Sequence, residues 1–383
     1  MKNIERLLQS LCPEGVVYKA IDELAKTLSP QVKIKSHDYL DCGQYPVIDQ
    51  GQDFIGGYTN DNRVFPKGEY IIFGDHTCVV KYIDFEFAQG ADGVKVLIPK
   101  GQICCKYLYY CMCSIKMDTS YARHWSKMRA EKIPLPPLAV QQEIVRILDS
   151  FTELTAELTA ELTARRKQYE YYRDELLTFG DDVAWKALEE EFPHIRNGFV
   201  GTVTSYFSDE EGGVRYLEGR DIHNGTISDE KATYVSKDFH RKHMKTCLKE
   251  NDILVVQSGH VGECAVVSKK YEGANCHALI VMSNGGNCLS KYVSYYLQSC
   301  NGRKQMQSIT TGGTVKHILA SKIKKIMVPF PPIEEQARIV SILDRFDALC
   351  NDLSSGLPAE ISARQKQYEY YRDKLLTFKE IQS

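Results

Sequence analysis

The sequence contains a long-range internal duplication. The octapeptide KQYEYYRD at residues 167–174 returns unchanged at residues 366–373, and Leu-Leu-Thr-Phe follows one residue later in both copies. The segment PLPP at residues 134–137 corresponds in the same way to PFPP at residues 329–332. Because two copies of one segment must fold into two related structures, the repeat limits the possible architectures more than composition does.

Weaker matches extend the duplication toward the N-terminus. Residues 67–72 align with residues 250–255, and Lys106-Tyr107 aligns with Lys291-Tyr292. The distance between matching residues grows steadily along the chain, as expected for a duplication with small insertions in its second copy. Two copies are too few for a solenoid, so we expect a molecule with two pseudo-twofold-related halves.

The repeat predicts an α+β fold with two pseudo-twofold-related α/β domains separated by a long antiparallel helical coiled coil. Within the domains, buried strands are expected at residues 70–73, 94–98 and 253–256. Short aromatic helices are expected at residues 106–114 and 291–299. The expected order is domain, helical region, domain and helical region, at residues 1–137, 138–180, 181–332 and 333–383.

The first helical region is the most strongly patterned part of the chain. Residues 138–179 contain neither Gly nor Pro, and apolar residues recur there mostly at every third or fourth position. That spacing predicts one helix with a single apolar stripe, which needs a second helix to cover it. The second copy supplies one, interrupted at Gly356 and Pro358, which are typical of a helix stop and of a first helical turn. We therefore expect two antiparallel helical stretches, the second of them kinked.

Three tandem Glu-Leu-Thr-Ala units occupy residues 153–164. Four helical residues advance about 6 Å and rotate about 400°, so each unit lengthens a helix while turning its stripe only slightly past a full turn. Two interpretations remain open: a low-complexity filler, or a ruler that sets the distance between the two domains.

The two domains differ most where loops are expected. These loops carry Arg, Lys, His, Thr and Tyr side chains, which can contact phosphates or base edges. Each residue taken singly is also typical of an ordinary polar loop. The candidate contact residues are Tyr58, Asn60, His76, Thr77, Lys81, Tyr121, Arg123, His124 and Lys127 in the first domain, and Arg215, Arg220, Arg241, Lys242, Ser258, His260, Thr314, Lys316 and His317 in the second.

Composition is typical of a soluble globular protein, with 43% hydrophobic and 26% charged residues. No apolar run approaches the roughly 18 residues that span a bilayer, and the first residues lack an apolar signal region, so we expect a cytoplasmic protein. The formal net charge of −2 argues against a protein that binds DNA alone. DNA binding then requires local basic residues, or partners that supply phosphate contacts.

Motifs for catalysis and metal binding are missing from the sequence. The thirteen cysteines form no regular framework, and the tightest group, at residues 104–113, does not have the usual zinc-ligand spacing. Buried, reduced cysteines are therefore expected rather than a metal site. Neither Pro-Pro pair follows Asn or Asp, as an adenine methyltransferase would require, and no phosphate-binding or dinucleotide-binding loop occurs. We expect no catalytic site, metal or cofactor in this chain.

The repeated segments resemble a known family. The Pro-x-Pro-Pro edge, the Gln-x-x-Ile-Val-x-Ile-Leu-Asp helix that follows it, the Gln-Tyr-x-Tyr-Tyr-Arg-Asp-x-Leu-Leu end and the Glu-Leu-Thr-Ala units are similar to specificity subunits of type I restriction–modification systems, most of all those with tetrapeptide spacer repeats. The resemblance covers nearly the whole chain and is strongest in the two helical regions.

The resemblance implies a non-catalytic subunit that reads double-stranded DNA. Each α/β domain would be a target recognition domain for one half of an asymmetric split site, and the helical regions would fix the spacing. Two methyltransferase subunits, which bind S-adenosylmethionine, would dock on this chain, and restriction subunits would join them. S-adenosylmethionine, ATP and Mg²⁺ are expected on those partners only. Base-contacting residues vary within the family, so no individual contact is carried over from it.

The helical regions supply the expected spacer and partner-docking residues. They are Leu154, Leu158, Leu162, Tyr169, Tyr172, Arg173, Tyr368, Tyr371 and Arg372. An alternative function is a coiled-coil scaffold that joins two protein partners without reading DNA, which explains the helices and the duplication but not the divergent loops. A third is an enzyme with an unrecognised site.

Overall fold

The computed structural model describes residues 2–90, 93–117, 123–180, 182–313, 316–352 and 355–381. Its contacts divide the chain into two compact units, which we call unit 1 (residues 1–157 and 361–383) and unit 2 (residues 158–360). The two units cut across the four segments expected from the sequence, whose boundaries stay a prediction.

Unit 1 combines a four-stranded main sheet with parts of two helices of the helical regions. Its elements are α1 (Lys2–Leu11), β1 (Val17–Ala20), α2 (Ile21–Leu24), β2 (Ala25–Leu28), β3 (Tyr45–Ile48), β4 (Gly57–Thr59), β5 (Tyr70–Gly74), β6 (Val80–Ile83), β7 (Ala88–Gln89), β8 (Val94–Pro99), α3 (Cys105–Ser114), α4 (Trp125–Met128), β9 (Lys132–Leu135), the first half of α5 (Leu138–Leu176) and the part of the last helix from residue 361.

Unit 2 contains the second half of α5 and the elements that follow it. They are β10 (Trp185–Ala187), α6 (Leu188–Glu191), β11 (His194–Asn197), β12 (Phe207–Ser208), β13 (Gly213–Leu217), β14 (Ile222–His223), β15 (Thr226–Ile227), β16 (Thr233–Ser236), α7 (Lys237–Lys242), β17 (Ile253–Val256), β18 (Cys264–Val266), β19 (Asn275–Cys276), β20 (Leu279–Ser283), α8 (Ser290–Gln298), α9 (Cys300–Ile309), α10 (Ala320–Ile323), β21 (Met327–Pro329), α11 (Ile333–Asn351) and the first turn of α12 (Leu357–Leu375).

The mixed α/β architecture and the long first helix are confirmed, as are the predicted elements. The three expected strands are β5, β8 and β17, and the two expected aromatic helices are α3 and α8. Helix α5 begins at Leu138 as expected but ends at Leu176, three residues before Phe179, because the Thr178 N–H donates to the Glu175 carbonyl and tightens the last turn.

The second helical region is interrupted where the sequence predicts. Helix α11 ends at Asn351 and α12 begins at Leu357, with Pro358 in its first turn. The Gly356 N–H donates to the Asp352 carbonyl, and a Cβ atom at Gly356 would lie 2.6 Å from the Ala348 carbonyl oxygen. Only glycine fits this close turn. No described helix combines the length and apolar character that crossing a membrane demands.

The main sheets of the two units have the same strand order. Unit 1 has β2-β8-β5-β6 and unit 2 has β11-β20-β17-β18, antiparallel throughout. Each unit also pairs one strand at the start of its domain with the strand of the proline segment, β1 with β9 and β10 with β21. The duplication found in the sequence is therefore a duplication of topology.

Both faces of each main sheet are buried. In β5, Ile71 and Phe73 pack with helix α3, whereas Tyr70 and Ile72 pack on the other face against Phe87. The four residues of β17 divide in the same alternating way between two core clusters. Burial on two faces explains why these strands are continuous apolar runs rather than alternating patterns.

A glutamine at the start of each long helix holds the proline segment against the domain. In unit 1 the Gln141 side chain accepts a hydrogen bond from the Cys104 N–H (2.8 Å) and donates one to the Pro136 carbonyl (2.8 Å). In unit 2 Gln336 repeats both contacts, accepting from the Leu289 N–H and donating to the Pro331 carbonyl. Both glutamines are buried, so these bonds satisfy backbone groups that water cannot reach.

An aspartate about two turns further along each helix makes a second repeated joint. The Asp149 carboxylate accepts from Lys106 Nζ (2.7 Å) and from the Tyr110 hydroxyl (2.6 Å), both on α3. In unit 2 Asp344 receives Lys291 Nζ (2.9 Å) and the Tyr295 hydroxyl (2.6 Å) from α8. This joint fixes α3 to α5 in unit 1 and α8 to α11 in unit 2.

The C-terminal tail completes unit 1. The Val16 N–H donates to the Lys379 carbonyl (2.8 Å), and the Ile381 N–H donates back to the Val16 carbonyl (3.1 Å). Gly15, with φ at +113°, lies so close that a Cβ atom there would be 2.2 Å from the Lys379 carbonyl oxygen. The first unit is thus built from both ends of the chain.

Replacing Asp149 by Ala should destabilise unit 1 alone. The substitution leaves the partly buried Lys106 ammonium and Tyr110 hydroxyl without their acceptor, a loss of about 2 kcal/mol in the free energy of unfolding. Hydrogen exchange followed by mass spectrometry should show faster exchange in α3 and unchanged exchange in α8. The matched control is Glu153→Ala, an exposed position on the same helix, with an expected effect below about 0.5 kcal/mol.

Equal loss of protection in α3 and α8 would contradict the assignment of this joint to unit 1. Asp344→Ala should give the mirror result, with faster exchange in α8.

Candidate nucleic-acid interface

Three loops meet at one edge of the main sheet in each unit, where its central strands end: β5 and β8 in unit 1, and β17 and β20 in unit 2. In unit 1 they join at Asp75, whose N–H donates to the Gly93 carbonyl and whose carboxylate accepts from the Trp125 N–H (2.8 Å). In unit 2 the Gln257 N–H donates to the Ala278 carbonyl, and the Gln257 carbonyl accepts from the Ile318 N–H. We call this edge the loop edge of each unit.

The backbone at the loop edges is strained at one non-glycine residue in each unit, before β6 in unit 1 and before β20 in unit 2. Cys78 in unit 1 and Ala278 in unit 2 adopt φ angles of +56° and +55° without being glycine. Such conformations cost about 1–2 kcal/mol per residue and cluster at functional sites. The strain favours the loop edges as candidate binding surfaces.

Several first-domain candidates lie at this edge. The His76 N–H donates to Gln50 Oε1 (3.2 Å), the Thr77 hydroxyl donates to the Gln50 carbonyl (2.6 Å), and Arg123 is exposed beside the buried Asp75–Trp125 contact. Lys127 is exposed on the adjacent helix α4. Tyr121 lies outside the described residues.

Two first-domain candidates are buried instead. Lys81 is 4% exposed, and its ammonium donates to the Asp49 and Asp53 carbonyls and pairs with the Asp49 carboxylate. Burial lowers the pKa of Lys81. His124 is fully buried. Neither side chain faces solvent, so we leave both out of the proposed contact surface.

Tyr58 and Asn60 belong to a different part of unit 1. Tyr58 is half-buried on β4, in the small sheet β4-β3-β7, and Asn60 is exposed at its end. Asn60 Oδ1 accepts a hydrogen bond from the Gln44 N–H (3.0 Å).

The second unit brings four of its candidates together. Ser258 and His317 form a backbone bridge, and His260 and Lys316 line a groove of about 460 Å³ with Gln307 and Thr310. The His260 ring also stacks on His223, with 4.8 Å between ring centroids. Thr314, from the same segment, lies outside the described residues.

The arginines among the second-domain candidates are engaged by carboxylates. The Arg215 guanidinium, with 11% side-chain exposure, pairs with Asp221 and Asp229. Arg220 pairs with Glu218, and Arg241 with Asp238. Lys242 is exposed on α7. Arg215 therefore holds its own sheet together, whereas Arg220 and Arg241 are solvent-exposed ion pairs.

Two exposed basic residues of unit 2 were not among the candidates predicted from the sequence. Arg303 and Lys304 are exposed on α9, and Arg303 lines a groove that shares Gln307 and Thr310 with the one described above. The sequence does show two adjacent basic residues there. They lie in a helix between matched segments of the duplication, and the candidates were taken from loops only.

Most candidate docking residues hold the long helices together within their unit. Tyr172 stacks on Phe346 at 5.6 Å in unit 2, and Tyr371 stacks on Phe151 at 5.5 Å in unit 1. Tyr169 and Arg173 are buried, Arg372 covers the Tyr368 ring, and the leucines of the tetrapeptide units are half-buried; these are Leu154, Leu158 and Leu162.

The exposed aromatic residues of the repeated octapeptide are different ones. Tyr171 and Tyr370 occupy equivalent positions, and each is 62% exposed. Exposed aromatic side chains are enriched at protein interfaces. They fall outside the apolar stripe, and this phase was the signal that could have separated them from Tyr169 and Tyr368.

Known proteins share both the sequence and the fold of this chain. A model of the type I restriction modification DNA specificity domain matches residues 13–165 and 202–363. The specificity subunit of EcoR124I/EcoR124II from Escherichia coli is 34% identical, covering 99% of this chain and 97% of that protein. A putative type I specificity subunit of Haemophilus influenzae, S.HindORF215P, is 30% identical, covering 99% and 100%.

Solved structures agree at the level of the fold. A type I restriction–modification S subunit from M. genitalium superposes with a TM-score of 0.59 at 16% identity, covering 94% of this chain and 96% of that one. A chain from a study of type I complex assembly and conformational transition gives 0.55 at 16% identity, covering 95% and 98%.

The cysteines of the described residues form no metal site, because no group of three or more His, Cys, Asp or Glu side chains is placed to hold an ion there. Burial raises the pKa of Cys111, Cys264, Cys276 and Cys288 to about 12. A thiol with a raised pKa stays protonated at pH 8, and only the thiolate is a good nucleophile. These thiols should therefore be inert in the folded chain.

Thiol labelling of the native chain at pH 8 should show a fast phase of two thiols, from the exposed Cys42 and Cys300. Cys42→Ser with Cys300→Ser should abolish that phase, and denaturant should expose every remaining thiol. Reaction with a chromogenic disulfide reagent measures both. Fast labelling of Cys111 or Cys264 in the folded protein, located by peptide mapping, would refute the account of these buried thiols.

Proposed function

This chain belongs to the family of type I restriction–modification DNA specificity subunits, and we propose that it reads an asymmetric two-part DNA site for a methyltransferase and endonuclease complex. Each unit would read one half-site through its loop edge. The chain itself would be non-catalytic and would act in the cytoplasm.

The observation that carries this proposal is a constant frame with divergent edges. Both units repeat the main sheet, the glutamine contacts and the aspartate joint. Their loop edges carry different side chains: His76, Thr77 and Arg123 in unit 1, and Ser258, His260 and Lys316 in unit 2. Two similar readers with different contact residues suit a target of two unlike halves.

The helical regions support the spacing function. The tetrapeptide units lie within the continuous helix α5, with their glutamates exposed and their leucines half-buried. One more unit lengthens a helix by about 6 Å and rotates it about 40° beyond a full turn. This small rotation lets the number of units change while the leucines keep nearly the same orientation.

Partner subunits complete the proposed activity. Two methyltransferase subunits would bind S-adenosylmethionine, and restriction subunits would supply ATP- and Mg²⁺-dependent translocation and cleavage. Tyr171 and Tyr370, equally exposed at equivalent positions, would offer each methyltransferase the same contact. Shared enclosure of the DNA by these partners is compatible with the net charge of −2.

Exchanging one recognition domain should change one half of the methylated motif. The exchange of residues 1–137 for the corresponding domain of another specificity subunit leaves the long helices and unit 2 intact. Methylation sequencing of a strain that carries the complete system should then show a new first half-site beside the original second one.

The reciprocal exchange of residues 181–332 is the matched control and should alter the other half only. A change in both halves, or in neither, from a single exchange would refute one reader per unit. Methyltransferase assembly without any site preference would favour the scaffold alternative.

Deleting residues 157–160 should shorten the non-specific spacer and leave both half-sites unchanged. The deletion removes about 6 Å of helix, against about 3.4 Å per base pair, so one or two base pairs should be lost. The mapped motif of the variant measures the spacer directly.

Glu157→Gln with Thr159→Ala is the length-preserving control, which should retain the original spacer. A spacer unchanged by the deletion, in a complex that still methylates DNA, would leave only the filler interpretation.

A further inference from the structure

Helix α9 lies in a connection that is longer in unit 2 than in unit 1, and it is firmly attached to unit 2. It occupies residues 300–309 between α8, which ends at Gln298, and α10, which begins at Ala320, whereas α3 ends at Ser114 and α4 begins at Trp125. The growing separation between the copies of the duplication is partly this insertion. The frame that both units share does not require this extra segment, so it is a candidate for a function of its own.

Three contacts fix the orientation of α9. The Cys300 N–H donates to Asp174 Oδ1 (2.9 Å), and the Ser299 hydroxyl caps the helix by accepting from the Gly302 N–H. The Gln305 side chain donates to the Met327 carbonyl (2.8 Å) and accepts from its N–H (2.9 Å). Gly302 packs so tightly that a Cβ atom would lie 2.1 Å from the Tyr296 carbonyl oxygen. The outer face of α9 is therefore preorganised.

That outer face is basic. Arg303 and Lys304 are exposed on α9, and Lys316 is exposed on the loop that follows it. Among the described residues, none of these three side chains forms an ion pair. Other basic residues of unit 2, such as Lys269 and Lys270, have carboxylate partners. The charges of Arg303, Lys304 and Lys316 are therefore available to a ligand.

The space between these residues suits a phosphodiester backbone. Arg303 lines one groove and Lys316 the neighbouring one, and both grooves share Gln307 and Thr310. The exposed Gln307 side chain can donate a hydrogen bond to a phosphate oxygen, whereas the Thr310 hydroxyl donates to the Met306 carbonyl (2.8 Å). Glu263 also lines both grooves; its carboxylate accepts the Asn224 N–H (3.1 Å) and remains an anion, which is outnumbered by the three cations Arg303, Lys304 and Lys316. Both grooves are open, and their linings mix polar residues with the apolar Val261.

We propose that Arg303, Lys304 and Lys316 form a phosphate-contact ridge that holds DNA on unit 2 independently of its sequence. The inference rests on the proposed function and separates two roles within unit 2, phosphate contact and base contact. The ridge positions the duplex, while His260 and its neighbours at the loop edge face the bases. Its removal should weaken binding to all DNA without changing the motif.

The test uses the complex assembled with its methyltransferase subunits. Fluorescence anisotropy measures binding to a duplex that carries the mapped motif and to one with both half-sites scrambled, over a range of salt concentrations. Arg303→Gln with Lys304→Gln should weaken binding to both duplexes by the same factor, on the order of tenfold to a hundredfold at low salt. The slope of log affinity against log salt should fall by about two.

Two control variants separate charge from structure. Arg303→Lys with Lys304→Arg keeps both charges and should bind like the wild type. Lys231→Gln with Lys269→Gln removes two charges from exposed lysines elsewhere in unit 2 and should leave the salt slope nearly unchanged.

An unchanged slope and affinity in Arg303→Gln/Lys304→Gln would overturn the ridge, and so would a loss confined to the motif duplex, which indicates base readout. If the wild-type complex does not prefer the motif duplex, the proposed function is overturned instead. This result comes from the wild-type complex alone and does not depend on any α9 variant.

Discussion

The rest of the structure depends on one contact that both units repeat, the attachment of the domain that holds each main sheet to its long helix. One buried glutamine and one aspartate on each helix bind the domain through the backbone of the proline segment and through a Lys–Tyr pair. The glutamines are buried and the aspartates partly buried, and such groups are costly to leave unsatisfied, so the frame tolerates little change there. The joints use side chains that both units share, whereas the loop-edge side chains differ between the units.

Much of the frame could be predicted from the sequence. Periodicity placed α5, and Gly356 with Pro358 placed the break between α11 and α12, because helix geometry and glycine conformation are local properties. The packing of residues 361–381 with the N-terminal part of the chain, in unit 1, could not be predicted. The octapeptide is identical in both copies, so its apolar stripe carries no signal that decides which helix it packs against. Backbone contacts between Val16 and the C-terminal tail make that choice visible.

The candidate site was less predictable, because exposure depends on tertiary contacts. Lys81 and Arg215 have side chains typical of a binding loop, yet nearby carboxylates and carbonyls hold both of them within their unit. His124 is also buried, and its N–H donates to the Asp75 carbonyl where three loops meet. Conversely, Arg303 and Tyr171 were overlooked, since only the packing of α9 and the phase of α5 bring them to the surface. Residue type suggested the chemistry but could not select the individual residues.

The central claim is that two related units read two different half-sites at a fixed separation. Methylation sequencing of genomic DNA from a strain that carries the complete, unmodified system tests it most directly. The account predicts one motif with two unlike specified halves, separated by an unspecified spacer of constant length. A continuous motif without a spacer, or methylation without a shared motif, would contradict it.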